Sequence, residues 1–197
     1  MIKLNDLLKE TIYKPDKKIG SGITGDIFSI KGHPEYVYKP ITNKPSGPFN
    51  PPVTKENILK MQQYVKSHPN IYVQIIEVNN DFYIQEKVNT KVLKQDLKNL
   101  NQELKKEGKY YYQYYAEDND DGTPETRALY FGMNVFKMGD NYREMDNELF
   151  SSLSDKNKEL VLKLNDFFQE AKDENLDAHA GNFGYDLKNN IKYFDIT

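Results

Sequence analysis

GSGITGDIFSIK, residues 20–31, decides between two folds. Its glycines at 20, 22 and 25 match the spacing G-x-G-x-x-G. A dinucleotide-binding βαβ unit would need a helix directly after the third glycine, and an acidic residue about 20 positions further on to hold a ribose. DIFSIK reads instead as a strand, so the glycines close a hairpin between two strands. Two roles stay open for Gly20, Ser21, Gly22 and Gly25. They form a plain turn that uses glycine for positive dihedrals, or a flap whose backbone amides meet phosphate oxygens.

Outward from this hairpin the first half stays strand-rich. EYVYKP (35–40) predicts a third strand, ended by proline. The proline-rich 40–52 admits no helix. VTKENILKMQQYVKS (53–67) predicts a helix with Thr54 as N-cap and Ile58, Met61 and Val65 near one face. NIYVQIIEVNN and DFYIQEKV predict a hairpin turning at Asn-Asn-Asp. A short leading helix is expected over 3–11.

The second half reads as mainly helical. Leu93, Leu97, Leu100 and Leu104 stand at helical spacing in 91–108. Residues 154–175 predict the clearest helix, with Ser154 to cap it and an apolar face of Leu160, Leu164, Phe167, Phe168 and Ala171. NFGYD and IKYFDIT then predict two strands around a DLKNN turn. The expected class is α+β: an antiparallel sheet with one helix over 1–88, and a mainly helical part over 89–197.

Composition narrows the function classes. The chain has 197 residues, 29% charged and 38% hydrophobic, which fits a folded domain rather than a disordered one. A net charge of −3 gives no basic signature, so direct nucleic-acid binding is not expected. The absence of cysteine excludes disulfides and thiolate metal sites. No signal-peptide pattern or apolar run of membrane-spanning length appears, so a cytoplasmic protein without membrane contact is expected. The acidic EDNDDG (117–122) fails as an EF-hand: with Gly122 as the turn glycine, the closing Glu position falls on Ala128. YYYQYY (110–115) reads as part of an irregular element rather than a cluster of phosphate acceptors.

Several residues carry possible chemistry. Lys39 lies 14 residues beyond Gly25 on the third strand. It is an exposed strand lysine or a phosphate ligand. Glu56, 17 residues after Lys39, is a carboxylate partner for that lysine or a first-turn acid favoured by the helix dipole. Near the end, Asp177 and Asn182 are five apart and Asp195 follows 13 residues later. Phosphoryl transfer needs an acceptor for a hydroxyl proton and oxygen ligands for Mg²⁺. A polar helix-to-strand loop would use the same residue types.

Taken in chain order, the glycine hairpin, the strand lysine, the helix glutamate and the Asp–Asn–Asp set resemble the protein-kinase-like superfamily. The loop DAHAGN is similar to the Asp-x-His-x-x-Asn loops of aminoglycoside phosphotransferases and HipA-like kinases. The last stretch, FFQEAKDENLDAHAGNFGYDLKNNIKYFDIT, resembles the early protein kinases carried by short-tailed bacteriophages. The likeness covers 157–197 well, 17–88 loosely and 89–150 not at all. One departure is Asn175, which stands where the common catalytic loop has histidine.

The resemblance implies a bilobal kinase-like fold with a reduced second lobe, and ATP and Mg²⁺ as cofactors. Asp177 would be the catalytic base, and Asn182 and Asp195 the metal ligands. Lys39 would contact the α- and β-phosphates with Glu56 as its partner, under the flap of Gly20, Ser21, Gly22 and Gly25. His179 would donate to the transferring phosphate or hold the loop together. Glu86 and Val88, in QEKV (85–88), would belong to a hinge whose backbone meets adenine. Host proteins would be the substrates, modified on Ser or Thr in the host cytoplasm. A small-molecule phosphotransferase and a pseudokinase-like inhibitor are the alternatives. The sequence ends two residues past Asp195, so the second lobe is expected to be completed by 89–150 or the chain to be cut short. Substrate identity and oligomeric state stay open.

Overall fold

A computed structural model describes residues 13–22, 25–43, 52–107, 122–136 and 147–194. The expected leading helix, most of the proline-rich connector, the Tyr-rich stretch and Asp195 lie outside them. The chain divides between Lys87 and Val88 into two compact units. Its architecture is mixed α+β.

The first unit is a five-stranded antiparallel sheet with one helix. In chain order the strands are β1 (Pro15–Gly22), β2 (Gly25–Ile30), β3 (Tyr36–Pro40), β4 (Ile75–Val78) and β5 (Phe82–Glu86), arranged β1-β2-β3-β5-β4. A strand, not a helix, follows Gly25, which excludes the dinucleotide-binding reading of the glycines. Gly22 pairs with Gly25 where the hairpin turns, and Gly25 has φ 122°, a conformation that side chains rarely adopt. β1 is an edge strand carrying two register irregularities, Pro15 at its start, and exposed Lys17 and Lys18. All three features discourage pairing with another chain.

Helix α1 (Lys55–Ser67) begins at Thr54, whose hydroxyl accepts from the Asn57 amide at 3.3 Å. Ile58 and Val65 are buried, seven residues or about two helical turns apart. Two glutamines fasten this helix to the sheet: Gln62 donates to the Ile75 carbonyl and Gln74 to the Val65 carbonyl, each at 2.8 Å. The first satisfies a backbone oxygen at the irregular start of β4, the second a carbonyl in the last turn of α1.

The second unit contains α2 (Thr90–Glu107), α3 (Pro124–Asn134) and α4 (Asp155–Glu170), a helical segment at 147–152, and the hairpin β6 (Phe183–Tyr185) and β7 (Ile191–Tyr193). Leu93, Leu97, Leu100 and Leu104 are fully buried, as the helical spacing requires. Gly132 marks a close approach of α3 to α4, where a Cβ would fall 2.5 Å from the Leu164 Cδ1.

Two sequence expectations change here. α4 ends at Glu170, not at 175. Asp173 and Glu174 would place negative charge at the negative end of a longer helix. Ser154 holds the N-cap position of α4, but its hydroxyl makes no cap bond. The Glu103 carboxylate of α2 accepts from the Ser154 amide at 2.8 Å, from the Ser154 hydroxyl at 2.9 Å and from the Asn157 side chain. Burial opposes the charge on Glu103, but the bonds from Asn157 and Ser154 outweigh it and hold the carboxyl below its ordinary range.

Candidate functional site

The loop after α4 is held by its neighbours before any ligand is considered. Phe183, directly after the loop, is fully buried. Its ring lies 5.7 Å from Phe167, 5.8 Å from Phe168 and 5.2 Å from Tyr193. Such aromatic packing anchors the loop's exit on α4. Val88 supports the hairpin from the other side, since a Cβ on Gly184 would lie 2.8 Å from Val88. Asn89 and Tyr185 form a bridge in which the Asn89 amide donates to the Tyr185 carbonyl at 2.7 Å. Burial, and next Asp96, whose carboxylate takes a hydrogen bond from the Tyr185 hydroxyl, hold that hydroxyl well above the ordinary tyrosine range.

Within the loop, Asp177, His179 and Asn182 are drawn together by a short 3₁₀ turn, Ala180–Asn182. The Asp177 carbonyl accepts from the His179 amide at 2.8 Å, and the His179 carbonyl from the Asn182 amide at 2.9 Å. His179 caps the turn with its ring: Nδ1 accepts from the Gly181 amide at 3.0 Å. A nitrogen that accepts cannot hold the proton, so neutral His179 carries it on Nε2. Gly181 makes this possible, because a Cβ there would fall 2.6 Å from Nδ1.

Asn182 turns its amide nitrogen on Asp177, with Nδ2 3.1 Å from Oδ2 and 3.3 Å from the carbonyl oxygen. That orientation leaves Oδ1 as the acceptor end of the side chain. The Asn182 carbonyl accepts from the Phe194 amide at 3.0 Å, so the residue before Asp195 is tied to Asn182. Asp177 is exposed, while His179 and Asn182 are half-buried. Among the described residues no three His, Asp or Glu side chains converge to hold a metal ion.

In the sheet unit, paired residues project to the same side and alternate residues to opposite sides. Gly20 pairs with Ile27, Ser29 with Val37, and Lys39 with Tyr83. Gly20, Ile27, Val37, Lys39 and Tyr83 therefore share one face. Lys39 Nζ lies 5.7 Å from the centroid of the Tyr83 ring. Ser21 donates to Asp26 at 2.7 Å, and Lys18 pairs with the same carboxylate at 2.7 Å. The hydrogen bond from Lys18, then that from Ser21, hold Asp26 below the ordinary carboxylate range.

Of the two roles open for Glu56, the described contacts display the first-turn helix acid. Its carboxylate pairs with Lys60, one helical turn along, at 2.8 Å, and its side chain is 78% exposed. Helix geometry gives the reason: Glu56 is about 200° around the axis from the buried Ile58, on the opposite face. The hydrogen bond from Lys60 holds Glu56 below its ordinary range. Glu86 is likewise engaged in the sheet, where its carboxylate accepts from the Gln74 amide at 2.8 Å and its own amide donates to the Gln74 carbonyl at 2.9 Å.

Sequence reasoning missed α3 and its role. Thr123 caps this helix and Pro124 opens it, a recognisable start signal. Thr126, in the first turn, is buried and accepts from the Ala180 amide of the loop at 3.3 Å.

No protein-family model matches the chain, and comparison with curated proteins and with solved structures finds no match either. Among the described residues no helix is long and apolar enough to cross a membrane.

Proposed function

We propose that this chain is a small protein kinase with a reduced kinase-like fold, transferring the terminal phosphoryl group of ATP to Ser or Thr hydroxyls. The observation that carries the reading is the side-chain pairing of Asn182 with Asp177. It sets an exposed carboxylate beside an amide whose oxygen takes no part in the pairing, in a loop held on several sides. The five-residue spacing of these two, the strand lysine on a face shared with Gly20, and the strand after Gly25 support it.

In this mechanism the acceptor hydroxyl oxygen attacks the γ-phosphorus, and the bond from that phosphorus to the bridging oxygen of ADP breaks. Asp177 orients the hydroxyl and takes its proton. Asn182 Oδ1, with Asp195 from outside the described residues, would hold Mg²⁺, which neutralises phosphate charge. Lys39 contacts the phosphates, and the amides around Gly20, Ser21, Gly22 and Gly25 cover them. Glu86 and Val88 belong to the segment that meets adenine. His179 acts first as the cap of its own loop. We place the reaction in a host cell's cytoplasm, with host proteins as substrates, following the resemblance to phage kinases.

A second reading has one observation in its favour. The helix carboxylate expected to serve in a kinase site, Glu56, is engaged by Lys60 of its own helix, which favours a non-catalytic, pseudokinase-like binding module. Transfer from labelled ATP by the wild type and by Asp177→Asn, with mass spectrometry to locate the phosphate, separates the two. Transfer that depends on Asp177 supports the enzyme. Its absence from a protein that binds ATP–Mg²⁺ supports the module.

A further inference from the structure

We infer that Thr126 is a positioning residue for the candidate catalytic loop, and that α3 supplies the loop's anchor from a part of the chain that carries no recognisable motif. The inference rests on the kinase reading for its catalytic consequence but not for its geometry. Thr126 lies 54 residues before Ala180. Its hydroxyl is in the first turn of α3, and the residue is only 2% exposed. Ala180, at the centre of the Asp177–Asn182 loop, is equally buried. Its amide has no route to water at that depth and must be satisfied from within the protein. Thr126 Oγ1 is the atom that does so.

The anchor is itself fixed. Thr123 donates its hydroxyl to Thr126 Oγ1 at 2.9 Å and accepts the Thr126 amide at 3.2 Å. Two threonines three apart thus lock each other at the start of α3. Pro124 between them presets the first helical dihedral. The order of dependence is clear: α3's cap holds Thr126, Thr126 holds the Ala180 amide, and the turn through Ala180 sets where Asp177 and Asn182 meet. Side chains that must hold reacting groups in place lose rate steeply when their support moves by a fraction of an ångström to an ångström.

Three variants test this in the full chain. Thr126→Val keeps the shape and removes the hydroxyl, Thr126→Ser keeps the hydroxyl, and Thr126→Ala removes both hydroxyl and methyl. The readouts are kcat for labelled-ATP transfer to casein, KM for ATP, and hydrogen exchange at the Ala180 amide. Thr126→Val is expected to lower kcat about ten- to a hundredfold, leave KM for ATP unchanged, and speed exchange at Ala180, with Ser restoring both. Wild-type kcat and exchange in the Val variant would overturn the inference. So would equal losses in Val and Ser, which would mean that keeping the hydroxyl does not preserve the loop. Should Val fail to fold, Ser against Ala makes the same comparison. If the wild type transfers no phosphate, the kinase reading fails, and exchange at Ala180 alone decides this inference: faster in Val and restored in Ser upholds it, unchanged in Val overturns it.

Discussion

The side-chain amide of Asn182 donates to the carboxylate of Asp177 across 3.1 Å, and the same nitrogen lies 3.3 Å from the Asp177 carbonyl. Six residues of loop, Asp177 to Asn182, are thereby closed into a ring, with Asp177 at its exposed edge. Removing the amide is expected to release the carboxylate. Asn182→Ala should lose phosphoryl transfer to below about a hundredth of wild type, the scale of a displaced catalytic group. Stability should fall by only about 1 kcal/mol, the worth of an ordinary hydrogen bond. Transfer kinetics beside a thermal melt check both. A variant as active as wild type would remove Asn182 from the site.

Gly181 is the position where a single methyl group should do damage. A Cβ there would fall 2.6 Å from His179 Nδ1, so Gly181→Ala has to push the imidazole off its cap. The expected cost is about 1–3 kcal/mol, as for overpacking elsewhere. His179→Ala removes the ring that is struck. The double variant should therefore be no less stable than His179→Ala alone, a non-additivity readable in denaturant melts.

Glu103 predicts a change at acid pH. Its carboxyl is held below the ordinary range in the folded chain, so its contribution is present above the unfolded value and is lost as pH falls through the folded one. The loss belongs below about pH 4.3, the unperturbed glutamate value. Glu103→Gln should cost about 1 kcal/mol at neutral pH, as for loss of a helix cap. It should also flatten the acid limb of stability against pH. Melts from pH 7 to pH 3 check the slope.

Glu56 predicts the absence of an effect. Because its partner is the exposed Lys60, Glu56→Gln should leave both melting temperature and phosphate transfer unchanged. Lys39→Met, by contrast, should raise KM for ATP or abolish transfer. If Glu56→Gln matched Lys39→Met in activity, α1 would have to turn during the reaction to bring Glu56 to Lys39.

What was legible in the sequence was mostly local. Leu93, Leu97, Leu100 and Leu104 declare their helix face by spacing alone, and Thr54 declares its cap. The strand after Gly25 follows from DIFSIK, and that single reading excludes a parallel dinucleotide-binding fold. The Thr126–Ala180 bond and the Glu103 cap of α4 were not. Each joins residues more than 50 positions apart, and no periodicity or spacing encodes which polar group a buried amide will meet. The start of α3 was readable from Thr123 and Pro124, but its purpose appears only once the loop is beside it.

The central claim is that Asp177 takes a proton from a hydroxyl that receives phosphate. Transfer from labelled ATP to the protein itself and to bacterial lysate proteins, by wild type and by Asp177→Asn at equal ATP–Mg²⁺ occupancy, tests it most directly. The account predicts phosphate on Ser or Thr with wild type and a loss of about 10²–10⁴-fold with Asp177→Asn. Equal transfer by the two proteins, or none from a wild type saturated with ATP–Mg²⁺, would contradict it.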